Sequence, residues 1–160
     1  MSNNYTQFSA MLPYASVPIA AQKKWLKKIL EPLEACDPKF EAILFKEGIE
    51  AGECMLDAWP DFDFFFEDEG LWLSSPESCN LEHVAQVVRA FLKKFNPDAM
   101  WSMTWAETSS RMRLNEFSGG GMLVTSKEIL WCNPEQWLSK RYGEILDARK
   151  QAKRKKPTSR

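Results

Sequence analysis

Residues 107–121 carry the side chains of this chain that are best suited to chemistry. The carboxylates are Glu107 and Glu116, and the neighbouring guanidinium groups are Arg111 and Arg113. Two carboxylates can act as general acid and base when their surroundings separate their pKa values. Nothing in the spacing fixes the distance between them, and arginines so close more often form ion pairs. A small enzyme with its site here is therefore the last of three hypotheses.

Three consecutive glycines, Gly119, Gly120 and Gly121, end the same segment. Glycine lets a backbone approach a ligand closely, so a possible ligand loop would combine these glycines with Arg111, Arg113 and Glu116. The spacing is not that of a phosphate-binding P-loop, and a strand rather than a helix follows. We favour the alternative that the glycines form a bulged or sharply bent start of that strand.

Metal and nucleophile sites have little support in the sequence. The four cysteines, at positions 36, 54, 79 and 132, form no CxxC pair, and His83 is the single histidine. Zinc sites need such ligands in clusters, so we expect reduced thiols, no metal and no cofactor. Cys79 and His83 are four residues apart, but we do not favour a catalytic pair, because Cys79 precedes the predicted helix that holds His83.

Residues 41–69 hold ten acidic side chains and one basic side chain. Carboxylates held at fixed positions would steer and bind a basic partner. The alternative is a solvated surface that keeps an aromatic-rich protein soluble. The predicted partner-binding residues are Asp57, Asp61, Asp63, Glu67, Asp68 and Glu69.

Basic side chains lie in two other places. Lys23, Lys24, Lys27 and Lys28 occupy one predicted helix face, and residues 149–160 hold seven basic side chains and no acidic one. Nucleic-acid binding through the lysine helix and the tail is the second hypothesis, although we favour a solvated helix face for the lysines. We expect residues 149–160 to be a disordered tail, because almost nothing there is apolar.

The composition predicts one folded domain over residues 1–148. The chain has 160 residues, 44% of them hydrophobic, with seven Trp and ten Phe, so disorder is excluded for most of its length. No run approaches the eighteen apolar residues of a membrane-spanning helix, and residues 1–11 do not resemble a signal peptide. We therefore expect a cytoplasmic protein without a membrane contact.

Helices and strands alternate along the chain. Ser16 is predicted to cap a helix that ends or kinks at Pro32, and Phe40–Phe45 suggest a short second helix. Asn80 is predicted to cap a core helix that stops at Asn96, and Asn133 to cap the last helix.

Alternating apolar residues predict strands at residues 62–66, 71–73 and 101–105, then at 121–125 and 129–132. Phe62, Phe64 and Phe66 are predicted to face the core, as are Trp101 and Trp105, rather than to stack on nucleic-acid bases. Short turns between strand pairs favour an α+β fold: a single domain with a mainly antiparallel sheet of four to five strands and helices packed on one face.

From about Phe62 onward the order of features resembles a family of small uncharacterised bacterial proteins carried on phages and plasmids. The resemblance is carried by Leu71-Trp72-Leu73, by residues 80–85 and 101–105 with Thr108-Ser109, and by Glu116-Phe117-Ser118-Gly119-Gly120-Gly121 leading to Val124-Thr125. This chain has Ser118 where a further glycine is expected after the phenylalanine. The resemblance implies a bacterial, mobile-element setting and brings no activity, cofactor or catalytic residue.

The leading hypothesis is a non-enzymatic cytoplasmic binding protein, an inhibitor or accessory factor of a mobile element. Its acidic segment 41–69 would engage a basic surface of another protein.

Overall fold

A computed structural model describes residues 3–31, 38–50, 59–111 and 118–155. The elements, in chain order, are β1 (Asn4–Pro13), α1 (Ile19–Leu30), α2 (Pro38–Lys46), β2 (Asp63–Phe66), β3 (Gly70–Ser75), α3 (Leu81–Phe95), β4 (Trp101–Ser109), β5 (Ser118–Val124), β6 (Ile129–Cys132) and α4 (Pro134–Lys155). No described helix is long and apolar enough to cross a membrane.

The strands form one six-stranded antiparallel sheet in the order β2-β3-β1-β4-β5-β6. The predicted α+β class is confirmed, with six strands rather than four to five. The additional strand is β1, which the sequence analysis leaves unassigned. Residues 4–7 of β1 pair with β4 and residues 8–13 pair with β3, so β1 joins the two halves of the sheet.

One face of the sheet packs against α1, α2 and α3 to form the core. Side chains alternate across a strand, and the buried set therefore lies on a single face. The strand residues in this core include Phe8, Leu12, Leu71, Leu73, Trp101, Met103, Met122 and Val124. The predicted core positions of Phe62 and Trp101 are confirmed, and Phe64, Phe66 and Trp105 are partly buried against the same cluster.

The opposite face, which we call the open face, carries no described helix along its length. Its residues include Ser9, Met11, Phe65, Trp72, Ser102, Thr104, Gly121, Leu123, Leu130 and Cys132, which the cross-strand pairing places on one side. Several of them are apolar and exposed, Phe65 to 48% and Leu130 to 47%. Both faces of the sheet therefore carry apolar side chains, but the described helices cover only one of them along its length.

Two helices begin differently. Asn80 caps α3 as predicted, because its side chain accepts a hydrogen bond from the backbone N–H of Glu82 at 3.0 Å. The predicted Ser16 cap of α1 is wrong: Pro18 precedes the helix and makes no side-chain cap. Instead the buried Gln22 accepts from the Ala15 N–H at 2.8 Å and donates to the carbonyls of Ala15 and Val17 at 3.1 and 2.9 Å.

The last helix runs past residue 148, where the sequence predicts the end of the domain. α4 continues through residues 149–155 of the predicted tail, while residues 156–160 lie outside the described part of the chain. The domain boundary itself stays a prediction. Alanine, glutamine, lysine and arginine in this stretch favour a helix, which explains the extension. None of the side chains of α4 is buried.

We predict that Gln22→Ala lowers the free energy of unfolding by about 1–3 kcal/mol, because it leaves partly buried backbone groups of the β1–α1 connection without their partners. Urea denaturation measures the change. Gln136→Ala, at an exposed helix position, is the matched control and should change it by no more than about 0.5 kcal/mol. Equal losses in both variants would contradict the assigned role of Gln22.

Candidate functional site

Five of the six predicted partner-binding carboxylates lie together around β2. We call Asp61, Asp63, Glu67, Asp68 and Glu69 the acidic patch. Asp61 and Asp63 lie at the start of β2, and residues 67–69 form the turn to β3. The backbone N–H of Glu67 donates to the carbonyl of Gly70 at 2.9 Å and closes this turn. The sixth residue, Asp57, lies outside the described residues.

Backbone hydrogen bonds hold both ends of the acidic patch. At one end the Asp61 N–H donates to Nδ1 of His83 at 3.1 Å, and the Asp61 carbonyl accepts from the Asn80 N–H at 3.0 Å. At the other end the Tyr14 N–H donates to the Glu69 carbonyl at 3.1 Å. The backbone of the patch is thereby fixed to the start of α3 and to the segment after β1, so the points from which its carboxylates extend are defined.

An exposed aromatic pair lies between the two ends of the patch on the open face. The rings of Phe65 and Trp72 have centroids 5.1 Å apart, and the indole N–H of Trp72 donates to Oγ of Ser9 at 2.9 Å. Trp72 is 38% exposed. Beside it is a notch of about 330 Å³ lined by Met11, Trp72 and residues 67–69. Apolar surface and carboxylates thus meet in one place.

This aromatic pair is not among the sequence predictions, although the alternation of residues around Phe65 and Trp72 indicates it. Phe65 falls between two core-facing phenylalanines, and Trp72 falls between Leu71 and Leu73. Two-residue alternation therefore sends both rings to the face opposite the core. Their mutual contact depends on the pairing register of β2 with β3, in which they are direct partners.

The negative charge of the acidic patch affects the pKa of the neighbouring Tyr14 hydroxyl. Burial raises the pKa of Tyr14, and the carboxylates of Asp68 and Glu67 raise it further. The ion pairs found among the described residues lie elsewhere: Glu47 contacts Lys28 at 3.3 Å and Lys94 at 3.8 Å, and Arg141 contacts Glu144 at 2.9 Å. None of these pairs neutralises the patch.

The four lysines of α1 do not form a uniform cationic surface. Lys28 is paired with Glu47, Lys27 lies 5.4 Å above the ring of Phe66, and Lys23 lies 5.8 Å above the ring of Tyr14. Lys24 is exposed. Because three of the four ammonium groups have contacts within the domain, this face offers less to a phosphate backbone than the sequence suggests.

The three glycines lie in a strand rather than in a loop. Gly119, Gly120 and Gly121 pair in unbroken register with Ala106, Trp105 and Thr104 of β4, so they lie at the start of the strand as expected, but without a bulge. Their predicted part in ligand binding stays a prediction. A Cβ on Gly120 would collide with the Trp105 ring and come within 2.8 Å of the Cys132 carbonyl. Glycine is needed at this position because the indole covers the backbone.

A groove of about 770 Å³ runs over β4, β5 and β6. It is lined by residues 102–104, 119–123 and 130–132 and by Pro134. Its single ionisable side chain is Cys132, so the described lining holds no acid–base pair. Glu107 lies instead in a separate notch of about 390 Å³, and Arg111 lines neither cavity. Arg113 and Glu116 lie outside the described residues.

Cys79 and His83 do not form a nucleophile and base. Burial raises the pKa of the Cys79 thiol, which keeps it protonated. Nδ1 of His83 is occupied by the Asp61 N–H, and its ring packs against Trp59 with centroids 4.8 Å apart. His83 is a core residue that positions the start of the acidic patch.

The described residues contain no cluster of His, Cys, Asp and Glu side chains that could hold a metal ion. No protein-family model, curated protein or solved structure matches the chain. The site is therefore interpreted from its own geometry.

We predict opposite outcomes for two neighbouring glycines. Gly120→Ala should destabilise the fold by about 1–3 kcal/mol, because the new methyl group displaces the Trp105 ring. Gly121→Ala is the control: its Cβ would face the open groove with no neighbour closer than 3.4 Å, so it should be tolerated. Thermal denaturation distinguishes them, and equal melting temperatures would contradict the assigned Trp105–Gly120 contact.

We predict that His83 makes stability depend on pH. Burial lowers the pKa of His83 below its ordinary value of 6.5, although the charge of Asp61 opposes the shift. As pH falls through 6.5, the unfolded chain gains a proton that the folded chain does not, so stability decreases from there down to the lower folded pKa.

Chemical denaturation at pH 7.5 and at pH 5.5 measures this change. In His83→Asn the amide oxygen can still accept a hydrogen bond from the Asp61 N–H, but no imidazole titrates. The difference in the free energy of unfolding between pH 7.5 and pH 5.5 should therefore be smaller than in the parent protein. An equal pH dependence in both proteins would contradict a neutral, buried His83.

Proposed function

We propose that this protein is a non-enzymatic binding protein whose acidic patch engages a basic segment of another protein. The observation that carries the proposal is the position of fixed carboxylates around an exposed aromatic pair on the open face. Exposed carboxylates alone would serve solubility equally well. Carboxylates beside an exposed Trp–Phe pair instead combine the two features that bind a cationic side chain.

The chemistry of the site favours arginine or lysine as the bound side chain. The aliphatic part of such a side chain can pack on Met11 and Trp72 in the notch, while its charged group reaches residues 67–69. An arginine can also stack on the indole ring. A nucleic acid would bring phosphates to the same carboxylates and be repelled.

Two carboxylates at the two ends of β2 set a spacing for the partner. Asp63 begins β2 and Glu67 follows it four positions later, which is roughly 13 Å at about 3.3 Å per residue. An extended partner segment with basic side chains at positions i and i+4 spans the same distance. We therefore propose an extended basic segment rather than a single cation as the ligand.

The cellular setting is also a proposal. The resemblance described above supports a bacterial mobile element, and the binding protein would then act in the cytoplasm as an inhibitor or accessory factor.

We predict that a fluorescent Gly/Ser peptide with arginines at i and i+4 binds the purified chain, and that salt weakens binding. Neutralising the patch by Asp61→Asn, Asp63→Asn, Glu67→Gln, Asp68→Asn and Glu69→Gln should reduce affinity at least tenfold, because two charged contacts are lost. Trp72→Ala should reduce it as well. Fluorescence anisotropy gives the affinities, and the same variants are then used in pull-downs from bacterial lysate.

The matched control neutralises five exposed acids elsewhere, at Glu82, Asp98, Glu128, Glu135 and Asp147. It changes net charge equally and should leave the affinity within about twofold. Equal weakening by both sets would reduce the effect to net charge, and unchanged binding by the patch variant would overturn the proposed function.

A further inference from the structure

α4 has an apolar stripe that remains exposed, and the guanidinium group of Arg141 lies 5.4 Å from the centre of the Trp137 ring within it. Trp137, Leu138, Tyr142, Ile145 and Leu146 recur on one side of this 22-residue helix, and the first four are more than half exposed. Gln136, Lys140, Gly143, Glu144 and Asp147 fall on the other side. A helix gains most of its stability from packing such a stripe against another surface. The stripe therefore indicates a docking surface.

The groove on the open face is the matching concave surface. Leu123, Leu130 and Cys132 lie there with Gly121, whose lack of a side chain deepens the groove. A sheet that is apolar on both faces is normally covered by a layer on each. A helix laid in this groove would supply the missing layer, in the way that amphipathic helices bind apolar grooves.

The connection before α4 is short. Asn133 is the single residue between β6 and α4. Its Oδ1 caps the helix by accepting from the N–H groups of Glu135 at 2.9 Å and Gln136 at 3.4 Å, and the following Pro134 has a restricted φ. In this position α4 lies close to β5 of its own sheet, but its apolar stripe remains exposed. The stripe and the groove are therefore both open to another copy of the chain.

We propose that the occupant is a second copy of this chain, and that two copies exchange α4 helices across their open faces. The exchange is reciprocal, so both stripes and both grooves are covered by one two-fold contact. Short connections of this kind favour exchange of the following element between copies.

Length and charge fit this arrangement. α4 is roughly 33 Å long at about 1.5 Å per residue, and six strands about 4.8 Å apart span roughly 24 Å. Laid across the strands with its stripe over β4, β5 and β6 and its C-terminus pointing away from β6, a partner's α4 would bring its basic end toward the opposite edge of the sheet. That end carries Arg149, Lys150, Lys153, Arg154 and Lys155, and that edge carries the acidic patch.

The exchange rests on the stripe and the groove, and it does not depend on the proposed function. The two proposals are also tested separately, because self-association is measured on the purified chain without any partner. In the dimer the basic end of α4 competes with other basic segments for the acidic patch.

The experiment is light scattering after size exclusion, at chain concentrations from about 1 to 100 µM. We expect a mass twice the 18.5 kDa of one chain. Leu138→Glu, Tyr142→Glu and Ile145→Glu together should raise the dissociation constant at least 100-fold, as should Leu130→Glu in the groove. The matched control adds three glutamates to the other side of α4, by Gln136→Glu, Lys140→Glu and Gly143→Glu, and should remain a dimer.

Disulfide trapping identifies what each stripe touches. In a Leu138→Cys variant, mild oxidation should link position 138 of one copy to Cys132 of the other, as mapped by mass spectrometry. Links only between two positions 138 would show that helices pair away from the sheet and would overturn the proposal. So would a monomer at 100 µM, or a dimer that survives the stripe variant while circular dichroism shows that the variant is folded.

Discussion

The structure depends on the pairing of β1 with two neighbours at once. Without its hydrogen bonds to β3 and β4, the β2–β3 hairpin and the β4–β5–β6 meander would be separate sheets. The indole N–H of Trp101 adds a bond to the Met11 carbonyl at 2.9 Å, and Phe8 and Leu12 enter the core from the same strand. Because β1 comes first among the strands but pairs with residues 57 to 105 positions later, the sheet can close only when most of the chain has been made.

A helix or strand can be predicted from the sequence when the residues that determine it lie close together in the chain. α3 can be predicted because its determinants are local. Its cap, its apolar stripe and its last-turn lysines all lie within residues 80–95. β1 is harder, since Met11 is apolar on the open face and Pro13 argues against a strand although Phe8, Ala10 and Leu12 alternate correctly. The role of the glycines cannot be predicted from the local sequence. Glycine is required at position 120 because the ring of Trp105, on another strand, lies against it. The charge pattern of the sequence is enough to predict the acidic patch. The aromatic pair beside it depends on the register in which β2 pairs with β3.

The sheet separates two kinds of surface. Carboxylates and a Phe–Trp pair occupy the β2–β3 edge, while an apolar groove and an exposed helix occupy the β5–β6 edge. The core helices α1, α2 and α3 pack on the opposite face of the sheet. Both proposals therefore concern the same uncovered face of the sheet, and they differ in the physical interaction used, which is electrostatic at one edge and hydrophobic at the other.

The anchoring of Asp61 by His83 and Asn80 has a consequence for how the protein can change over evolutionary time. The backbone of the acidic patch is held by groups of α3 and by Tyr14, whereas the side chains of Asp63, Glu67, Asp68 and Glu69 are exposed. Substitutions at these four positions alter the charge pattern offered to a partner at little cost in folding free energy. A scaffold built in this way can follow a changing partner by surface replacement alone, while the strand that displays the charges stays in place.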